Sequence, residues 1–239
     1  MKTIDIPCTG YTVKADWYEG KSTDKILLFL MGWPLSTRES YKDLITDLVT
    51  NTGMSAIVFE YSGIGDSPFD KDLTRPAQHF LEVINVFDQL KVKHPKAEIS
   101  VVGTSYGGLL ATQLTKYRAF NNLVLRVPAI FKPSDFYSFN KDIDWEWTQK
   151  IFRKDKEALA KHPLLARAAA FKGRTLVVVH ENDAEVPTET TDAYIKAFNA
   201  NVYTAAGFEH SFSPPTPADG EAYKRAISEW LLSGSKVKR

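Results

Sequence analysis

The stretch Val101-Val102-Gly103-Thr104-Ser105-Tyr106-Gly107-Gly108 constrains the fold more than any other part of this chain. An apolar run from Ile99 to Val102 leads into it and Leu109-Leu110-Ala111 leads out. It therefore reads as a strand turning sharply into a helix, with Ser105 at the apex. Glycines at 103 and 107 stand two positions either side of the serine and remove Cβ atoms that would collide in so tight a reversal. Such a turn exposes the hydroxyl and strains the serine backbone, an arrangement kept where a side chain is presented to a reactant. Gly-x-Ser-x-Gly is a short pattern, and a glycine-rich turn in an α/β domain is the plain alternative. The strand before it and the helix after it favour the reactive reading.

The rest of the chain repeats the strand-to-helix theme. Lys2 to Ile6 and Tyr11 to Trp17 flank Cys8-Thr9-Gly10 and predict an antiparallel edge hairpin. Lys25 to Leu30 is a continuous apolar run, the mark of a strand buried on both faces of a parallel sheet. A helix from Ser40 to Val49, a strand over Ser55 to Phe59 and an amphipathic helix from Pro76 to Leu90 follow. After the serine turn come a helix over Tyr106 to Tyr117 and a strand over Leu123 to Val127. The alternation predicts a doubly wound, mostly parallel sheet with helices on both faces.

Between 131 and 172 the alternation stops. This stretch holds Phe131, Phe136, Tyr137, Phe139, Trp145, Trp147 and Phe152, then a charged helical run from Thr148 to Lys161 and an alanine-rich helix around Leu164 to Phe171. Two extra helices would explain it, but so many close aromatics need a surface to cover, so the segment is expected to be a lid. Strands resume at Thr175 to Val179 and Asn201 to Thr204, with helices over Glu189 to Asn199 and Gly220 to Leu232. The expected division is a core of 1–130 and 173–233, a lid insertion of 131–172 and a polar tail of 234–239.

Charge and composition narrow the classes of function. Thirty basic against twenty-nine acidic side chains leave a formal charge of +1, so there is no field to attract nucleic acid. No apolar run approaches the ~18 residues of a membrane span, so membrane insertion is not expected. The single cysteine, Cys8, has no internal partner and reads as an inert thiol, and the first residues do not resemble a signal peptide. A cytoplasmic location is the expectation. No metal-ligand cluster, phosphate loop or dinucleotide fingerprint is present, so no cofactor is implied.

A serine hydroxyl needs an adjacent base, and that base an orienting acid. Of five histidines, His79, His94 and His162 read as surface residues and His180 ends a strand. His210 lies in a loop after the last strand, and Asp183 in the loop after Thr175 to Val179. Groups at the carboxyl ends of parallel strands face one crevice, so Ser105, Asp183 and His210 are expected to meet there.

The order Ser, Asp, His behind a nucleophile turn resembles the α/β-hydrolase superfamily over nearly the whole chain. Asp183-Ala184-Glu185-Val186-Pro187 is similar to its acid motif, and Gly207-Phe208-Glu209-His210-Ser211-Phe212 to its histidine motif. The resemblance implies a sheet of about eight strands, a small helical lid, and a triad of nucleophile Ser105, acid Asp183 and base His210. It also implies an oxyanion hole from the backbone N–H groups of Tyr106 and Trp33, the latter in Met31-Gly32-Trp33, which departs from the family's His-Gly-X. Trp33, Phe136, Trp145 and Trp147 are the expected pocket walls. Glu60 to Ser67 resembles the family's D-x-R-G-x-G-x-S segment and reads as structural, while Glu82 and Asp88 read as solvated.

The expected activity is that of a serine carboxylesterase, cleaving a small-molecule ester with an apolar acyl or aryl group through an acyl-enzyme on Ser105. Thioester, carbon–carbon or peptide cleavage on the same triad, or a slow-turnover ligand receptor, are the alternatives.

Overall fold

The apolar runs form the middle of one sheet in the structure, a computed structural model that describes residues 1–234. Its strands are β1 (Lys2–Cys8), β2 (Tyr11–Tyr18), β3 (Ser22–Leu30), β4 (Met54–Phe59), β5 (Glu98–Thr104), β6 (Asn122–Arg126), β7 (Arg174–His180) and β8 (Asn201–Ala205). They lie in the order β1-β2-β4-β3-β5-β6-β7-β8. β1 and β2 form the expected antiparallel hairpin and β2 runs antiparallel to β4. Every other pairing is parallel. This is the architecture of an α/β-hydrolase fold.

The helices are α1 (Lys42–Thr52), α2 (Pro76–Lys93), α3 (Tyr106–Leu114), α4 (Trp145–Lys150), α5 (Lys156–Ala160), α6 (Pro163–Ala166), α7 (Thr188–Phe198) and α8 (Pro217–Ser233). α1 packs on α8, α2 on α3, and α7 on β7. Ile26 to Leu30 are buried without interruption, as a strand covered on both faces requires. α8 starts earlier than its apolar spacing suggests, because the Thr216 hydroxyl and the Asp219 carboxylate form a reciprocal capping box ahead of it.

Register carries the strand ends to one edge. Leu30 lies opposite Gly103, Thr104 opposite Arg126, and His180 opposite Ala205. The loops that hold Gly32, Ser105, Val127, Asp183 and His210 therefore all leave the sheet on the same side.

Three expectations need correction. The charged helix over 148–161 is broken: α4 ends at Lys150, and the Asp155 side chain accepts from the N–H groups of Glu157 and Ala158 to start α5 afresh. The alanine-rich stretch is likewise only the short α6 and a single 3₁₀ turn over 168–170. His79, His162 and Glu82 are buried rather than on the surface. His79 and Glu82 sit on the inner stripe of α2 with Val83, Val86 and Leu90, where helical spacing puts them. The tail expected over 234–239 lies, from 235 onward, outside the described residues. Among the described residues, no helix is long and apolar enough to cross a membrane.

Candidate active site

Ser105 sits between β5 and α3 with φ 51° and ψ −115°, a conformation rare for a residue with a side chain. Strain of this kind costs on the order of 1–3 kcal/mol and persists only where the surroundings over-determine it. Here the Ser105 N–H donates to Arg126 O at 2.9 Å, while Ser105 O accepts from the N–H groups of Gly108 at 2.8 Å and Ala129 at 3.0 Å. The glycines permit the close approach behind the turn. A Cβ on Gly107 would overlap the Leu30 carbonyl, and one on Gly103 would come within 2.9 Å of Ala111 Cβ. Val127, in the adjoining loop, also has positive φ, at 40°.

The half-buried Ser105 hydroxyl lies 3.0 Å from His210 Nε2, and His210 Nδ1 lies 2.8 Å from Asp183 Oδ2. The other Asp183 oxygen accepts the N–H groups of Glu185 and Val186, both at 2.8 Å. These bonds orient a carboxylate whose side chain is 2% exposed. An acceptor-only carboxylate at Nδ1 requires the proton there, which leaves Nε2 to accept from the serine hydroxyl. The loop after β7 and the loop after β8 thus bring Asp183 within hydrogen-bond reach of His210, and His210 within reach of Ser105.

His210 is supported from beneath. Arg126, 1% exposed, donates from Nε to Tyr223 OH at 2.7 Å and from Nη1 to Thr104 Oγ1 at 2.9 Å. The Tyr223 hydroxyl then gives its own proton to His180 Nε2 at 3.0 Å, and His180 Nδ1 donates to the carbonyl of Glu209, the residue before His210. Burial, with the Arg126 charge adding to it, lowers the His180 pKa to about 4, which keeps the ring neutral in this role.

The loop after β3 packs against the serine, since a Cβ on Gly32 would lie 3.8 Å from Ser105 Cβ. Tyr61 OH donates to Met31 O at 3.1 Å and the Gly32 N–H donates to Tyr41 OH at 3.0 Å, which pins the peptide leading into Trp33. Tyr106 opens α3, where the first N–H groups have no partner inside the helix. Its side chain points inward, and the hydroxyl donates to His79 Nδ1 at 2.7 Å while His79 Nε2 donates to Ser62 O. Burial lowers the His79 pKa to about 3, so this ring too stays neutral. The Trp33 ring rests on His79 at 4.7 Å and on Tyr106 at 5.7 Å.

The other expected pocket residues divide. Trp145 reaches the elbow through Phe131, whose ring lies 5.1 Å from Trp145 and 5.8 Å from Tyr106. Phe136 lines a groove along α3 whose lining includes none of Ser105, Asp183, His210 or Trp33. Trp147 stacks on Phe152 with the Lys132 ammonium over its ring.

Two features escape a reading of the sequence alone. Glu185 places a carboxylate oxygen 3.5 Å from His210 Nε2 and accepts from Gln149 of α4 at 3.3 Å. Arg153, whose pKa burial lowers to about 10, ties the 131–172 segment down by donating to Ile130 O and Glu185 O. Nothing in the spacing of Glu185 sets it apart, whereas His79 shares the helical stripe of Val83 and Val86. Among the described residues, no group of three or more His, Cys, Asp or Glu side chains could hold a metal ion.

No curated protein sequence matches the chain. Solved structures do resemble it. The Pyrococcus furiosus esterase Pf2001 superposes with a TM-score of 0.74 at 20% identity, over 98% of this chain and 92% of its own. Est1E from Butyrivibrio proteoclasticus, described with ferulic acid bound, gives 0.73 at 16% identity over 97% and 98%. The Paleococcus ferrophilus monoacylglycerol lipase gives 0.70 at 18% identity over 93% and 99%. At such identities the likeness speaks to the fold. A family model for the alpha/beta hydrolase fold matches residues 25–213, well over half of the sequence, and the chain therefore belongs to the α/β-hydrolase family.

Proposed function

We propose that this protein is a serine hydrolase that cleaves carboxylic esters of small apolar acyl or aryl groups. The observation that carries the reading is the unbroken series Ser105–His210–Asp183, with the serine presented from a strained turn. His210 Nε2 takes the hydroxyl proton as Ser105 Oγ attacks the ester carbonyl, and Asp183 stabilises the resulting imidazolium. The oxyanion is received by the backbone N–H groups of Tyr106 and Trp33. The tetrahedral adduct then expels the alcohol, which leaves with the proton from Nε2, and an acyl-enzyme remains. Water gives a proton to the same nitrogen as it attacks the acyl carbon, and when the bond from that carbon to Ser105 Oγ breaks the proton passes from Nε2 to Oγ, releasing the acid and the free serine.

The segment 131–172 serves as the lid in this proposal, with Phe131, backed by Trp145, and Trp33 each against the Tyr106 ring as apolar walls. Esterases and a lipase among the structural neighbours support ester chemistry, and the ferulic acid in the description of Est1E supports an aromatic acyl group. The test is hydrolysis of aryl esters of graded acyl length, with matched thioesters alongside, by the protein and by Ser105→Ala. The variant should lose at least ~10³-fold in kcat while keeping its thermal midpoint. Equal rates for the two proteins would overturn the assignment.

A further inference from the structure

We propose that the groove along α3 is a second binding site, separate from Ser105, for a small amphiphilic carboxylate. The groove encloses ≈ 180 Å³ between α3 and the start of the 131–172 segment. Leu109, Phe131, Phe136 and Leu164 give it an apolar floor, and Lys116, Lys132 and Arg167 bring three cations to its lining. Among the described residues, no acidic side chain lines it. Its histidine, His162, adds no charge, because Nε2 donates to Phe131 O, Nδ1 accepts from the Leu164 N–H, and burial lowers its pKa.

Volume and charge together select the ligand class. An apolar cavity of ~150 Å³ accommodates one benzene ring, so this space takes a single ring or a short alkyl chain. A neutral ligand of that size would leave the cations without a counter-charge. Lys132 is partly satisfied already, by Asp135 at 3.8 Å and by the face of Trp147. Lys116 lies over the Tyr117 ring, but it and Arg167 are exposed and form no ion pair among the described residues. An inorganic polyanion would meet the cations while leaving the apolar floor wet. A carboxylate on an aromatic or short aliphatic body satisfies both halves.

Phe131 separates this groove from the nucleophile, lining it while its ring contacts Tyr106. Such carboxylates are what ester cleavage at Ser105 would release. That link to the reaction, unlike the binding itself, rests on the proposed function.

The experiment is a calorimetric titration of full-length Ser105→Ala protein with phenylacetate, with the neutral isostere phenylacetamide and with inorganic phosphate. Phenylacetate should bind about tenfold or more tightly than the amide or phosphate, since a charge-assisted contact is lost in one and the apolar contact in the other. The pair Lys116→Ala and Arg167→Ala should weaken it about fivefold or more, and Leu164→Trp, which fills the floor, should abolish it. Equal affinity for acid and amide, displacement by phosphate, or indifference to both sets of variants would overturn the proposal. The double variant changes exposed side chains, so it keeps the test decisive if Leu164→Trp does not fold. Ester turnover by the unaltered protein is read independently, so loss of this site and loss of the hydrolase reading give different results.

Discussion

Both oxygens of Asp183 are engaged in the resting protein, one by two backbone N–H groups and the other by His210. An asparagine would turn its carbonyl toward the backbone donors and its NH₂ toward His210. Nδ1 would then have to accept, which moves the proton to Nε2 and removes the base from Ser105. Asp183→Asn should therefore lower kcat for an aryl ester by about 10³–10⁴-fold. Its urea midpoint should stay near that of the parent, and a drop of less than tenfold would argue against the acid role. Tyr106 offers the opposite case. Tyr106→Phe leaves the buried His79 Nδ1 without its donor and should cost about 1–3 kcal/mol of stability, read by urea unfolding.

The elbow depends on atoms that are absent. Gly107→Ala drives a methyl into the Leu30 carbonyl, backbone that cannot yield without moving β3, so the variant should unfold at markedly lower urea or fail to accumulate. Gly10→Ala is the control, because nothing lies within 4 Å of its Cβ and only the positive φ is strained, a cost of about 1 kcal/mol. Thr216→Ala should cost a similar ~1 kcal/mol by removing the capping box of α8. Elements with one dominant local signal were legible in the sequence: the apolar run of β3, the stripe of α2, the glycines around Ser105. The helices between 145 and 170 were not, since the charge pattern there is helical throughout and only the side-chain caps formed by Asp144, Asp155 and His162 show where the chain restarts.

Buried neutral histidines give the whole molecule an acid limit. Burial lowers the His79 pKa from 6.5 to about 3, and burial with the Arg126 charge lowers that of His180 to about 4. The unfolded chain therefore takes up protons below pH ~6.5 that the folded chain refuses. Stability should fall as pH drops from there toward the folded values, by ~1.4 kcal/mol per unit of separation for each fully buried ring. Glu82, whose pKa burial raises, acts in the opposite sense, because the folded chain keeps a proton that the unfolded chain has already lost. Urea midpoints between pH ~7 and ~4 should show the net decline. His79→Gln, whose amide can accept from Tyr106 and donate to Ser62, should make the slope shallower, and an unchanged slope would show that His79 is not its source.

What the sequence by itself determined about this protein was local: where strands and helices alternate, where glycine lets the chain turn at Ser105, and that Asp183 and His210 follow in loops at strand ends. Those properties depend on neighbours a few residues apart. The interior polar partners were decided only by the tertiary structure. His79 reads as a surface residue and Glu82 as solvated, and nothing in the sequence singles out Arg126, until α2, β5, β6 and α8 come together and remove water from all three. Once desolvated, each must find a partner distant in the chain, such as Tyr106, Tyr11 or Tyr223. Packing chooses that partner, because a buried polar group left alone costs more than the contact that satisfies it.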